Sequence, residues 1–238
     1  MHRLPYSAVA DIIEWDVLNW ARLIQAWQPV LPRYDPATSR VLAIGERGGG
    51  LSLWFALNGY EVICTDRLGP TPEARALHRR YNVDHRITYA GADVFQMPFP
   101  EASFDIVVCK SVVGGLKQVY ADAATRTLAS HTLAVRRIHE LLKPGGCWLD
   151  AENMKAGWIH QWLRRCLKGE RIGWRHIDIG EWPILLAPFA RFELTYFGVL
   201  PSNLPIHSLN RLAFLVNRCL SPLVPDRWLY IALVRAFK

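Results

Sequence analysis

Short apolar runs of strand length alternate with helical segments between residues 41 and 153, and this alternation constrains the fold most strongly. Helical segments with start or stop residues separate several of the runs, at 51–59, 72–81 and 125–142. The runs are VLAIG (41–45), YEVICTD (60–66), RITYAGAD (86–93), FDIVVCK (104–110) and CWLDAEN (147–153). Strands joined through helices form right-handed crossovers, so the pattern predicts an α/β fold with a mainly parallel sheet covered on both faces.

The segments on either side of this core carry different patterns. Apolar residues recur at helical spacing over 8–30, which predicts one amphipathic helix. After the fifth run, the sequence predicts a helix at 158–168, a capped helical turn within 177–190, a strand at 191–200, a helix at 206–220 and a strand at 228–237. We expect the last two strands to pair antiparallel, with the helix as an insertion between them.

Residues that can bind a ligand or take part in chemistry follow four of the predicted strands. Open α/β sheets bind ligands beyond the carboxyl ends of their strands, so these residues are candidates for one binding edge. A glycine-rich turn before a helix gives a ligand access to backbone N–H groups, and a carboxylate after the second strand can accept both hydroxyls of a ribose. The residues are Gly45-Glu46-Arg47-Gly48-Gly49-Gly50, Asp66, Ala92-Asp93-Val94 and Lys110-Ser111.

Four stretches carry motifs of a known family: VLAIGERGGGLS (41–52), VICTD (62–66), GADVFQMPFPEASFDIVV (91–108) and LLKPGG (141–146). In these stretches the chain resembles class I S-adenosylmethionine-dependent methyltransferases, in particular a branch that acts on small molecules or glycans. The resemblance implies a Rossmann-like, seven-stranded sheet whose last strand is antiparallel, with S-adenosylmethionine as cofactor. It also implies a single domain with three parts, namely an N-terminal helical lid (1–37), a cofactor-binding core (38–153) and an acceptor-side region (154–238).

The resemblance assigns cofactor-binding roles to individual residues of this sequence. The glycine turn would hold the amino-acid end of the cofactor, the second strand end the ribose, the third the adenine, and the fourth the region of the methyl group. The residues so assigned are Gly45, Glu46, Gly49, Asp66, Arg67, Ala92, Asp93, Val94 and Lys110.

Two positions depart from the family pattern. Ala43 stands where the family usually has the Asp or Glu that helps to hold the cofactor's ammonium group, and Arg47 stands where it usually has Gly. Glu46 lies close by in sequence, so it is the predicted substitute for the missing carboxylate.

Transfer to a hydroxyl requires a general base as well as alignment with the methyl group. Glu152 follows the fifth strand and His160 lies one or two turns beyond it, so both are candidate bases, while Lys110 is a third candidate catalytic residue beside the methyl group. The sequence lacks both a Pro-Cys nucleophile and an Asp/Asn-Pro-Pro-Tyr/Phe tetrapeptide after strand four, which argues against methylation of cytosine C5 or adenine amino groups. No spacing of His, Cys, Asp or Glu indicates a metal site.

The net charge of +7 is unevenly distributed, because residues 1–150 carry +1 and residues 151–238 carry +6. A basic surface attracts anionic partners, so we expect a small-molecule substrate that can be anionic or lipid-linked. Nucleic acid is disfavoured because the motifs for cytosine and adenine methylation are absent. The basic, apolar segment 199–230 fits either a membrane surface or a substrate cap. Five scattered cysteines and the absence of an apolar run of spanning length predict a cytoplasmic protein, with peripheral contact at the inner membrane surface left open.

The predicted function is methyl transfer to a hydroxyl of a sugar, glycan or natural product. Ala43 and Arg47 keep a second hypothesis open, a methyltransferase fold that binds partners without catalysis. The basic C-terminal third keeps a third open, an RNA methyltransferase. A nicotinamide dehydrogenase is disfavoured, because Arg47 occupies the second glycine position of the dinucleotide fingerprint.

Overall fold

Seven strands form one sheet in the part of the chain that the structure describes. The structure is a computed structural model that describes residues 4–116, 128–158, 160–162, 175–202 and 207–238. The strands are β1 (Arg40–Ile44), β2 (Glu61–Asp66), β3 (Ile87–Gly91), β4 (Phe104–Lys110), β5 (Leu142–Asn153), β6 (Arg191–Phe197) and β7 (Ile231–Phe237). Each overlaps a strand that the sequence predicted.

Helices flank the sheet and provide the crossovers. They are α1 (Tyr6–Ile13), α2 (Val17–Trp20), α3 (Arg22–Trp27), α4 (Gly50–Leu57), α5 (Pro72–Arg80), α6 (Leu128–Leu141), α7 (Trp182–Leu185) and α8 (His207–Leu220). The predicted capped turn is confirmed, because Asp178 and Glu181 form a reciprocal capping box immediately before α7. Of the predicted helices at 125–142 and 158–168, residues 125–127, 159 and 163–168 lie outside the described residues.

The strands lie in the order β3-β2-β1-β4-β5-β7-β6. The first five in that order pair in parallel, whereas β7 runs antiparallel to both β5 and β6. The predicted Rossmann-like architecture, with its antiparallel last strand, is therefore confirmed. At the end of β5, Asn153 pairs with Ile231, which also pairs with Phe197, so the connection between β6 and β7 leaves from the carboxyl edge of the parallel strands.

Two apolar layers cover the faces of the sheet. One packs bulky aromatic side chains of the N-terminal helices and α4 against the strands, including the buried Trp20, Trp27 and Trp54. The other packs α6 and α7 on the opposite face, where Trp148 stacks on Phe189 with ring centroids 5.8 Å apart. Burial on both faces explains why the central strands read as continuous apolar runs in the sequence.

The prediction of one helix over 8–30 is wrong, because the segment consists of α1, α2 and α3. Glu14 and Asp16 adopt left-handed backbone conformations with φ of +68° and +47°. These values are costly for residues with a Cβ and end the α1 hydrogen-bonding pattern. The apolar spacing continues across the break because each short helix still turns the same side toward the core.

The prediction that strand five starts only at residue 147 also needs correction. β5 begins at Leu142 and passes through Pro144-Gly145-Gly146. Pairing with β4 jumps from Phe104–Leu142 to Ile106–Cys147, so the extra residues form an irregularity in the ladder. Such a bulge accommodates a proline and a left-handed glycine without ending the strand.

No helix among the described residues is long and apolar enough to cross a membrane. Within the same residues, Cys64, Cys109 and Cys147 are buried free thiols, whereas Cys219 is exposed. Cys166 lies outside the described residues.

Candidate active site

The glycine turn between β1 and α4 is tightly packed. Gly45 and Gly49 have φ of +69° and +77°, a region that L side chains rarely adopt. A Cβ at Gly45 would overlap the Val112 side chain, and one at Gly49 would lie 2.6 Å from Nε2 of His78. That ring nitrogen lies 2.8 Å from the Gly49 carbonyl oxygen, so α5 supports the turn from outside. Both positions therefore require glycine.

Glu46 lies inside this turn and is buried. Its Oε2 accepts a hydrogen bond of 2.9 Å from the Ser52 amide in the first turn of α4. Burial raises the pKa of Glu46 to about 7, against the lowering effects of that amide and of Lys110. A carboxylate at a helix N-terminus is favoured by the unpaired amides there. Arg47 next to it is exposed, and its carbonyl oxygen accepts from the Thr71 amide.

The ends of β2 and β3 are joined by backbone bonding. The Asp66 carbonyl oxygen accepts from the Ala92 amide at 3.0 Å. The two carboxylates are half-buried and use Oδ1 for local turns, Asp66 toward the Leu68 amide at 3.4 Å and Asp93 toward the Phe95 amide at 2.9 Å. The neighbouring predicted residues differ in exposure: Ala92 and Val94 are buried, and Arg67 is exposed.

Lys110 ends β4 and is buried beneath the N-terminal segment. Its Nζ donates to the Ile13 carbonyl oxygen at 2.5 Å and lies 3.6 Å from Oε2 of Glu14. The same ammonium group lies 3.7 Å from the centre of the Trp15 ring, a cation–π contact. Burial lowers the pKa of Lys110, while Glu14 and Glu46 oppose that effect.

Glu14 is a site residue that the sequence analysis missed. Its carboxylate occupies the space that a Cβ at Gly48 would take, so it lies directly on the glycine turn. A Cβ at Gly50 would lie 2.2 Å from the Ile12 carbonyl oxygen, so α1 packs closely on the same turn. The available signal was an acidic residue, followed by Trp15 and Asp16, inside an otherwise apolar helical pattern.

The strand β5 carries two buried carboxylates, those of Asp150 and Glu152. Oε1 of Glu152 accepts from the Val112 and Val113 amides at 2.5 and 2.6 Å, which holds the loop after β4. Its Oε2 is buried without a hydrogen-bond partner among the described residues. Burial raises the pKa of Glu152 to about 7, despite the backbone amides that lower it. Asp150 accepts from the Cys109 thiol at 3.1 Å, and burial with the neighbouring Glu152 raises its pKa well above its ordinary value.

His160, the other predicted base, lies among different partners. Its ring stacks on Tyr230 with centroids 4.5 Å apart, and its Nδ1 lies 3.3 Å from the Val199 carbonyl oxygen. These contacts tie His160 to the connection between β6 and β7, whereas Glu152 contacts the loop after β4. Among the described residues, no cluster of three His, Cys, Asp or Glu side chains is arranged to hold a metal ion.

A family model described as a methyltransferase domain matches residues 42–149. The match spans 108 of the 238 residues, so this part of the chain is similar to a methyltransferase domain. The cofactor of this family is S-adenosylmethionine, which confirms the predicted cofactor. None of the curated proteins compared with the chain matches it significantly.

Solved structures with the same fold extend over nearly the whole chain. The YcgJ protein from Bacillus subtilis is 16% identical with a TM-score of 0.58, and the match covers 91% of this chain and 97% of that one. Phosphoethanolamine N-methyltransferase 2 from Haemonchus contortus, in complex with phosphomonomethylethanolamine and S-adenosylhomocysteine, is 17% identical with a TM-score of 0.63, covering 92% and 53%. The [4+2]-cyclase SpnF is 17% identical with a TM-score of 0.56, covering 84% and 74%. At such identities the likeness concerns the fold.

Proposed function

We propose that this protein transfers a methyl group from S-adenosylmethionine to a hydroxyl of a small molecule, such as a sugar, glycan or natural product. The observation that carries this proposal is the position of the candidate residues at one edge of the sheet. The glycine turn follows β1, Asp66 ends β2, Asp93 follows β3 and Lys110 ends β4, and these four strands are adjacent and parallel.

The residues at this edge fit the cofactor chemically. Gly45 and Gly49 present backbone without side chains, as a closely approaching ligand requires. Asp66 would accept from the ribose hydroxyls, with Arg67 beside it, and Asp93 would accept from the adenine amino group, with Ala92 and Val94 as its apolar neighbours. In its local turn each carboxylate accepts through Oδ1, and we propose that Oδ2 accepts from the ligand.

Two carboxylates near the glycine turn would substitute for the one missing at Ala43. Glu46 interacts electrostatically with Lys110 from inside the turn, and Glu14 reaches the same lysine from the lid. We propose that these two carboxylates hold the cofactor's ammonium group. The N-terminal segment would then act both as lid and as part of the cofactor site.

Glu152 is the better supported general base. When bound, the cofactor supplies a methyl group that is already activated for transfer and needs no metal ion. Glu152, with a pKa of about 7 and an oxygen without a described partner, would take the proton of the acceptor hydroxyl near neutral pH. Lys110 would exclude water and orient groups beside the methyl group. His160 remains a candidate, although its described contacts support a packing role.

The acceptor side is proposed to lie in residues 154–238. Trp158 and Trp162 are 71% and 59% exposed, which is unusual for such large apolar rings, and they follow β5 at the carboxyl edge. Flat aromatic surfaces of this kind suit a sugar ring or an apolar chain. With the basic excess of this third, they support a small acceptor that is anionic or lipid-linked.

Calorimetric titration with S-adenosylmethionine and S-adenosylhomocysteine tests the cofactor site. The variant Asp66→Ala is expected to lose binding at least tenfold, because the ribose would lose a charge-assisted partner. Asp84→Ala is the matched control, since Asp84 is an exposed aspartate in a turn before β3. Unchanged binding in Asp66→Ala would contradict the proposed site.

Transfer itself is tested with cofactor labelled in the methyl group. Sugars, glycans and lipid-linked sugars are offered as acceptors, and labelled products are analysed for a methyl ether. A label on nitrogen or carbon would overturn the hydroxyl proposal while leaving methyl transfer intact.

Binding without catalysis is the second candidate. Ala43 and the closed contact of Glu14 and Lys110 over the glycine turn favour it. Folded protein that binds neither cofactor compound, even with acceptors present, would favour this candidate.

A further inference from the structure

The helix α8 is oriented with its polar side inward and its leucines outward. Asn210, Ala213 and Asn217 are buried, one or two turns apart on one face. The solvent-exposed remainder of the helix carries leucines, hereafter the leucine face, which continues into the turn after the helix. Its members are Leu209, Leu212, Leu215, Leu220 and Leu223, with exposures between 39% and 78%.

Hydrogen bonds fix this orientation. Oδ1 of Asn217 accepts from the Val199 and Leu200 amides at 2.9 and 2.8 Å. Its Nδ2 donates to Oδ1 of Asn19 in α2 at 3.0 Å. Rotating α8 to bury the leucines would leave these polar groups without partners in the interior, which is costly. The outward leucines are therefore imposed by the fold.

The bonding extends across the fold. The Tyr230 hydroxyl donates to Oδ2 of Asp16 at 2.5 Å, and Nδ2 of Asn19 donates to the same hydroxyl oxygen at 2.7 Å. The Ser202 amide donates to Oδ1 of Asp16 at 3.1 Å, and the Ser202 hydroxyl donates to the same oxygen. This polar network, formed by Asp16, Asn19, Ser202, Asn217 and Tyr230, ties α8 to the N-terminal segment.

Positive charge flanks the leucine face. Arg211 and Arg218 are exposed on α8, on the same side of the leucine face, and the sequence has no acidic residue between 207 and 225. Arg22 lies close enough to Arg218 for their charges to interact, and burial with this repulsion lowers the pKa of Arg22. A cation cluster beside exposed leucines complements a surface that is both apolar and anionic.

We propose that the leucine face docks on the surface of a bilayer that contains anionic phospholipids. The 14 residues of α8 give a length of about 21 Å, so the helix would lie in the interface and not cross it. Arg211 and Arg218 would extend to phosphate groups while the leucines enter the acyl boundary.

The position of α8 relates this docking to the candidate active site. The connection between β6 and β7 leaves from the carboxyl edge of the parallel strands, where the candidate cofactor residues also lie. α8 also packs against α2, which directly follows the lid residues Glu14 and Trp15. A docked molecule would therefore hold its acceptor side near the lipid surface.

Vesicle co-sedimentation of the full chain tests the proposal. One set of vesicles contains phosphatidylcholine alone and the other an equimolar mixture with phosphatidylglycerol. We expect the mixed vesicles to be bound at least tenfold more tightly, and salt to weaken that binding.

Surface variants separate the contribution of the leucines from that of the arginines. Leu212→Ser with Leu215→Ser is expected to lower binding to mixed vesicles at least tenfold. Arg211→Gln and Arg218→Gln should each lower it about fivefold. The matched controls are Ile184→Ser, at an exposed apolar residue on α7, and Arg79→Gln, at an exposed arginine on α5. Both should leave binding to the mixed vesicles unchanged. Thermal unfolding verifies that each variant folds.

Several outcomes would overturn the proposal. They are no binding to either vesicle, equal binding to both, or binding that the leucine variants leave unchanged. A dimer in solution that Leu212→Ser dissociates, measured by light scattering, would assign the leucine face to a second copy of this chain. Cofactor titration of the same samples tests the proposed function separately from lipid docking, because methyl transfer can fail while docking holds, and the reverse.

Discussion

Glu46→Gln should change how the stability of this protein depends on pH. In the folded protein the carboxylate is buried, and its pKa is raised from its ordinary 4.5 to about 7. The folded state therefore binds this proton more tightly than the unfolded chain does. The resulting stabilisation is fully present below pH 4.5 and is lost as the pH rises through about 7.

The size of the effect follows from the two pKa values. A shift of one pKa unit corresponds to about 1.4 kcal/mol, so from about pH 5 to about pH 8 Glu46 should cost the wild-type protein about 2.5 kcal/mol of unfolding free energy. The amide that replaces the carboxyl group in the variant has no proton to lose, and its oxygen can still accept from the Ser52 amide. Between these pH values the variant should lose about 2.5 kcal/mol less than the wild type.

Urea denaturation of wild type and variant at both pH values measures this difference. Thermal unfolding gives a second readout, in which the variant's Tm should fall by about 5–10 °C less. Glu101→Gln, at an exposed position in the turn before β4, is the matched control and should follow the wild type. A pH dependence of Glu46→Gln within about 0.5 kcal/mol of the wild type would refute the reasoning.

Three further changes have defined outcomes. Gly49→Ala should destabilise the protein by about 1–3 kcal/mol in urea denaturation, because its Cβ would meet His78 at a left-handed backbone position. Asn217→Leu should cost about 2–4 kcal/mol, because it removes the partner of two half-buried backbone amides and of the buried Asn19; equal stability would argue against the polar network as the anchor of α8. Glu152→Gln should lower kcat by about 10²-fold or more while cofactor affinity, measured by calorimetry, stays within about twofold, and the wild-type kcat should rise with pH through about 7.

The sheet was predictable because its strands are buried on both faces. A short, continuous apolar run such as FDIVVCK is typical of a strand buried on both faces. The strand β4 has the predicted bounds, Phe104–Lys110. The edge carrying Gly45, Asp66 and Lys110 was predictable because each residue lies at or after the carboxyl end of a parallel strand. These features depend on local patterns and on the handedness of crossovers.

The N-terminal segment was not predictable in the same way. The break between α1 and α2 depends on Glu14 and Asp16 adopting left-handed conformations, which tertiary contacts with Lys110 and Tyr230 stabilise. Contacts between residues so distant in sequence leave no periodic signal. The inward asparagines of α8 belong to the same class, because the helical period of the sequence favours burying its leucines.

The polar network has a consequence for the order in which the molecule is completed. The bond between Tyr230 and Asp16 joins residues 214 positions apart, and that between Asn217 and Asn19 joins residues 198 apart. During synthesis the N-terminal segment emerges long before either partner, so these bonds cannot form until almost the whole chain has left the ribosome. Contacts of such high sequence separation also require most chain entropy to have been lost already. The N-terminal segment can therefore be locked over the glycine turn only late, after the residues of the parallel strands have been synthesised.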